Sequence, residues 1–244
     1  MNKQYPENAS LVSTTHGMLA STVERDVLAT EWRKTWEHPG RWMVTGKTYT
    51  LSGNTVTNIQ LVTWIIPGNS KEQIDHPEKT ESETANLNLP INEMLISLAR
   101  NEVIATNGNR YSLLRKEFHK SGNSWQCALI VKDSNNNATE LRRDTIDDET
   151  FVHAARAGDI IAGTQSTMSN KTFKEVGTNQ YQVSIEANGI KYSSSRIFDF
   201  NQLFLTATHR DKIITGNQTL VIVCKLCDAV RSNPDYTYIS LITG

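Results

Sequence analysis

The chain has 244 residues, with 25 Lys and Arg against 26 Asp and Glu, a formal net charge of −1 and a pI near 6.6. That balance argues against direct nucleic-acid binding or a polybasic membrane surface. A hydrophobic share of 38% with 21% charged residues describes a folded chain rather than a disordered one. No apolar run approaches the roughly 20 residues of a membrane helix, so no transmembrane segment is expected. Met1-Asn2-Lys3-Gln4-Tyr5-Pro6 lacks the apolar core of a secretory signal.

Taken in order, the first clear element is an amphipathic helix over Ser21–Glu37, stopped by His38-Pro39-Gly40. Val23, Val27, Leu28, Trp32 and Trp36 recur at helical spacing, and the charged residues fall elsewhere. A helix this short is marginal alone in water and needs a surface for its tryptophans. That surface belongs either to the same chain or to another subunit, as with an exchanged arm. Val27, Leu28, Trp32 and Trp36 are therefore the candidate assembly interface. Residues 1–40 read as an N-terminal arm and 41–244 as a single β-rich body.

Arg41–Leu51 and Thr55–Ile66 read as a hairpin about Ser52-Gly53-Asn54, followed by a polar surface loop from Ser70 to Asn86. Pro90 suits the first turn of a helix through Ile91, Met94, Leu95 and Leu98. Glu102–Thr106, Arg110–Phe118 and Ser124–Lys132 form a three-stranded antiparallel meander, separated by Asn107-Gly108-Asn109 and Ser121-Gly122-Asn123. Asp147 caps a helix ending before Gly158. Thr172–Val176, Tyr181–Ala187 and Ile190–Ser194 are strands, the last two joined by Asn188-Gly189. Ile197–His209 reads as a helix with a competing strand reading, and Leu220–Leu226 and Tyr236–Ile242 close the chain as strands. The class is α+β, an antiparallel β-sandwich decorated by helices. No internal repeat is visible.

No catalytic signature stands out, and no catalytic or metal site is expected. Gly68-Asn69-Ser70-Lys71 lacks the spacing of a phosphate loop. Cys224-Lys225-Leu226-Cys227 has metal-knuckle spacing without a second Cys or His pair, so buried thiols are the simpler reading. His153, beside Asp147, Asp148 and Glu149, is the best acid/base candidate, weighed against an exposed helical histidine. Cys127 with a distant histidine is a second enzyme or toxin reading. Arg115, Lys116, His119, Lys120, Arg142 and Arg143 read as solvated faces or ion pairs between subunits.

Ile197-Phe198-Asp199-Phe200-Asn201-Gln202-Leu203-Phe204-Leu205, Thr219–Leu226 and Asn233-Pro234-Asp235-Tyr236-Thr237-Tyr238 give an order of apolar helix, buried strand and Pro/Tyr tail. With the amphipathic helix before a β-rich body, this order resembles the cypovirus polyhedrins. The resemblance implies a structural, self-assembling protein: the crystal-forming matrix of a viral occlusion body that embeds virus particles in the cytoplasm of an infected host cell. It implies trimers packed in a cubic lattice, with the N-terminal helix as an arm between them. It also implies that nucleotide binding between subunits occurs in some members; no cofactor is otherwise expected. The chain has 7 Tyr, fewer than the family's Tyr-rich members. The alternative readings are a β-sandwich capsid or coat subunit, and the enzyme or toxin domain using Cys127 or His153.

Overall fold

A computed structural model describes residues 2–6, 19–21, 41–66, 80–163, 166–199, 202–203, 206–229 and 236–244. Strands dominate, with two short helices among the described residues, so the α+β expectation holds at that level. The sheets are mixed rather than antiparallel, and the reason lies in a unit that the chain repeats.

The unit is a three-stranded antiparallel meander, a helical segment, a loop carrying a buried acid, and a short strand. The first comprises β3 (Arg41–Ser52), β4 (Thr55–Ile66) and β5 (Thr80–Pro90), then α1 (Ile91–Ser97) and β6 (Val103–Thr106). The second comprises β7 (Asn109–Ser121), β8 (Ser124–Lys132) and β9 (Ala138–Ile146), then α2 (Asp148–Ala154) and β10 (Ile160–Ile161). The third comprises β11 (Thr172–Gly177), β12 (Gln180–Ala187) and β13 (Ile190–Asp199), then a helical segment around Leu203 and β14 (Lys212–Thr215). The two ends of the chain build the strands of the fourth: β15 (Gln218–Ala229) pairs with β16 (Tyr236–Thr243), β16 pairs with β1 (Asn2–Pro6), and β2 (Leu19–Ser21) is the short strand.

Register makes the equivalence specific. Within each unit the short strand runs parallel to the first strand, through Thr48↔Val103, Glu117↔Ile160, Thr172↔Lys212 and Leu226↔Leu19. A lysine immediately precedes the first-strand partner every time: Lys47, Lys116, Lys171 and Lys225. The same short-strand residues bridge antiparallel to the next unit, through Val103↔Ser112, Ile160↔Thr167, Lys212↔Val221 and Leu19↔Met43. Three of these bridges join first strands to short strands, and the fourth, Ile160↔Thr167, is an isolated bridge to a residue five positions before β11, so that the four units follow one another around a cycle. The parallel pairings are therefore built into the repeat, and the expectation of a chain without internal repeats is overturned.

Local sequence explains each unit. Lys47, Lys116 and Lys171 are each followed two residues on by Tyr49, Phe118 and Phe173, all fully buried. Four residues later comes Gly53, Gly122 or Gly177 at the hairpin end, and Gly53 and Gly122 take φ of +58° and +56°. That left-handed turn matches the twist of the flanking strands at little steric cost. Phe118, Phe151, Trp125 and Tyr192 then join one aromatic core, with Trp125 stacked on Phe151 at 3.8 Å and the other rings meeting edge-on.

Several local expectations need correction. Thr80–Asn86 belongs to β5 rather than to a loop, and Ile197–Asp199 ends a strand rather than beginning a helix. Asp199 then forms a reciprocal cap with Gln202: Gln202 N–H donates to Asp199 Oδ1 at 2.9 Å, and Asp199 N–H donates to Gln202 Oε1 at 3.1 Å. The helix expected over residues 22–37, with Val27, Leu28, Trp32 and Trp36, lies outside the described residues, as does Gly68–Lys71.

Candidate functional site

Every described helical segment ends in the same joint. The last turn closes with Leu98 N–H to Met94 O at 2.7 Å, Ala155 N–H to Phe151 O at 2.9 Å and Ala207 N–H to Leu203 O at 2.9 Å. The next residue donates its N–H to a carboxylate three positions on: Ala99 to Glu102 Oε2 (2.8 Å), Arg156 to Asp159 Oδ2 (2.9 Å) and Thr208 to Asp211 Oδ2 (2.8 Å). Asn101, Gly158 and Arg210, one before the acid, take φ of 71°, 90° and 68°. This turn satisfies backbone groups that a helix end would otherwise leave unpaired.

The lysines complete the joint. Lys116 N–H donates to Asp159 Oδ1 at 2.8 Å and Lys171 N–H to Asp211 Oδ1 at 2.9 Å. Lys116 Nζ donates to the carbonyls of Leu95 (3.1 Å), Leu98 (2.8 Å) and Ala154, and it lies 3.7 Å from Asp159 Oδ2. Lys171 Nζ donates to His153 O. Each ammonium thus sits on the C-terminal carbonyls of a neighbouring helix, where the helix dipole favours positive charge. Burial lowers both lysines and raises Asp159 and Asp211, while each opposite charge pulls its partner back. In the first joint Glu102 is fully buried and Oε1 has no hydrogen-bond partner. Lys47 stands over the Tyr49 ring at 4.8 Å, and Tyr49 Oη is 2.8 Å from Ser97 Oγ.

Between the three acid loops lies a cavity of about 330 Å³. Arg100, Arg156, Asn170, Lys171, His209 and Asp211 line it together with loop backbone. Arg156 Nη2 donates to the carbonyls of Ile96 (3.0 Å) and Ser97 (3.2 Å), and Nε is buried without a partner. His209 Nδ1 lies 2.7 Å from Val223 O. Arg100 is exposed, and no hydrogen bond or ion pair joins its side chain to another described residue.

Cys127 and His153 are not brought together as a reactive pair among the described residues. Cys127 is buried on β8, and burial pushes its thiol up to about 12, far from a thiolate nucleophile. His153 is buried rather than exposed, edge-on to Phe198 at 4.3 Å. Its Nε2 is 3.0 Å from Glu149 Oε1 but out of line for a hydrogen bond. Burial, aided by Lys171, lowers the imidazole to about 4. Lys116 is a buried joint residue and not part of a solvated face. Four of its neighbours form ion pairs within the chain: Arg115 with Glu117 (2.5 Å), half-buried Arg142 with Asp144 (2.5 Å), Arg143 with Glu140 (2.6 Å), and Lys120 with Asp148. Cys224 and Cys227 lie on one strand, β15. Among the described residues, no cluster of three metal-ligating side chains occurs and no helix is long and apolar enough to cross a membrane.

Sequence reasoning missed the joint acids and cavity residues. The spacing Lys-x-(Tyr/Phe)-x-x-x-Gly, shared by Lys47, Lys116 and Lys171, is the signal that could have found them. No family model, curated protein or solved structure matches the chain.

Proposed function

We propose that the protein is a structural, self-assembling subunit whose assembly element is the segment 22–40, with the occlusion-body matrix as its specific form. One observation carries this reading. The step from a short strand to the next first strand takes a two-residue turn from β6 to β7 (Thr106↔Asn109) and from β14 to β15 (Thr215↔Gln218). Between β2 and β3 the last pair, Ser21↔Arg41, stops one position short of that turn, and residues 22–40 lie between its two members. Equivalent steps take two residues, and this longer segment carries Val27, Leu28, Trp32 and Trp36, which the sequence spaces as one apolar face.

Two of the four outer edges, β9 and β13, resist strand-to-strand growth. The β9 edge carries the Arg142–Asp144 and Arg143–Glu140 pairs. The β13 edge is broken where its register shifts, and Arg196 N–H donates to Glu149 Oε2 at 3.2 Å. Charged and bulged edges resist pairing with another chain. The polyhedrin resemblance supplies the finer reading: a sandwich-like body with a helical arm, trimers in a lattice and embedded virus particles.

Replacing Trp32 and Trp36 together by Ala is expected to abolish particle or crystal growth in insect cells while the body stays folded. Exchanging residues 23–39 for Asn-Gly is expected to do the same. Undiminished assembly of both variants by light scattering rules the reading out.

A further inference from the structure

We propose that the cavity between the acid loops binds a small oxyanion, such as phosphate, sulfate or a carboxylate. The inference stands apart from the assembly reading. It begins with what the repeat shares and where it diverges. The loops hold their backbones in common, through the acid, the positive φ before it and the closed last turn. The two positions after each last turn have diverged: Ala99-Arg100, Arg156-Ala157 and Thr208-His209. Those diverged positions line the cavity. Divergence there is not needed to build the loop, since each version closes the same turn.

The lining has a definite sign. Both acids that reach the cavity already accept hydrogen bonds on each oxygen from the protein side. Asp159 accepts N–H bonds from Lys116 and Arg156, and Asp211 accepts from Lys171, Thr208 N–H and Thr208 Oγ1. The donors are not saturated. Arg156 Nε is buried without a partner and faces no open space, whereas the Arg100 guanidinium is exposed at the cavity wall and has no bond to a described residue. His209 and Asn170 add further polar groups to the wall. Guanidinium forks match the oxygens of phosphate, sulfate and carboxylate, and such charge-assisted bonds are the strong class. A volume of about 330 Å³ admits a whole anion, or the anionic end of a somewhat larger molecule.

Inorganic phosphate, sulfate and acetate, titrated separately into the full chain by amide NMR at constant ionic strength, test the site. Shifts confined to residues 98–101, 156–159 and 208–211 are expected. Arg100→Ala, at an exposed position without structural partners, is expected to weaken binding at least tenfold, while Arg143→Ala on β9 leaves it unchanged. Tighter binding of the tetrahedral anions identifies a phosphate or sulfate ligand, and tighter acetate binding a carboxylate. Shifts scattered over the surface, equal affinity of Arg100→Ala and the native chain, or no saturable binding of any of the three overturn the proposal.

Discussion

The joint after α2 and the joint after α1 share a backbone but not a balance of bonds. After α2, both oxygens of Asp159 accept backbone N–H groups, and the Lys116 ammonium closes the helix carbonyls. After α1, the acid is one methylene longer: Glu102 reaches Ala99 N–H with Oε2, and Oε1 is buried without a partner. Burial raises the Glu102 carboxyl, opposed chiefly by Lys47. On the same turn, one carboxylate is held on both oxygens and the other, a methylene longer, on one. A repeated fold can keep its geometry while its copies drift apart in energy.

Breaking the saturated joint should cost most. Lys116→Met leaves three helix carbonyls and the Asp159 carboxylate without their cation in the interior. Removing one partner from a buried pair typically costs about 3–5 kcal/mol, and urea denaturation should show a loss of that size. A loss under about 1 kcal/mol would mean that the ammonium does not hold the helix ends together.

A second test uses His153, whose place in α1 is taken by Ile96. Its folded-state value of about 4 lies below the ordinary 6.5, so the unfolded chain binds the proton more readily between those values. Stability from the neutral imidazole is present above pH 6.5 and is lost as the pH falls to 4. The full difference is on the order of 3 kcal/mol. The raised acids Glu102, Asp159 and Asp211 act with the opposite sign, because the folded chain then binds protons more readily. The comparison of native protein with His153→Ile isolates the histidine. The variant should show a flatter fall in stability from pH 6.5 to 4, and an unchanged slope would place the imidazole in water.

The smallest effect discriminates best between the joints. Asp159→Ala orphans two backbone N–H groups, and Glu102→Ala orphans one. At about 1–3 kcal/mol per buried donor, Glu102→Ala should be milder by about that amount. Equal losses would show that Oε1 of Glu102 is as well used as the second oxygen of Asp159.

Much of the fold was legible locally. Ser-Gly-Asn turns marked the hairpins at Gly53 and Gly122, Pro90 opened α1, and Asp147 capped α2 through Thr150 N–H at 2.7 Å. Those signals act within a few residues, so the sequence carries them whole. β9 escaped because Ala138–Ile146 is charged and lies at an edge, without the apolar alternation of a half-buried strand.

The repeat was not legible, because its copies share little beyond a lysine, an aromatic, a glycine and an acid. Residues 67–79 also disturb the period within the first unit, and residues 22–40 disturb it just before that unit. The site was hidden for a related reason. Lys116 sits in a run of charges that reads as solvated, and only the packing of β7 beneath two helix ends takes it out of water. Arg100, Arg156 and His209 are far apart in sequence, and their meeting needs the loops to face one another. By itself the sequence determined the turns, caps and strand-rich class, since these depend on neighbouring residues. Tertiary structure decided the ring, because its closure pairs β1 with β16 and β2 with β15, joining the two ends of the chain.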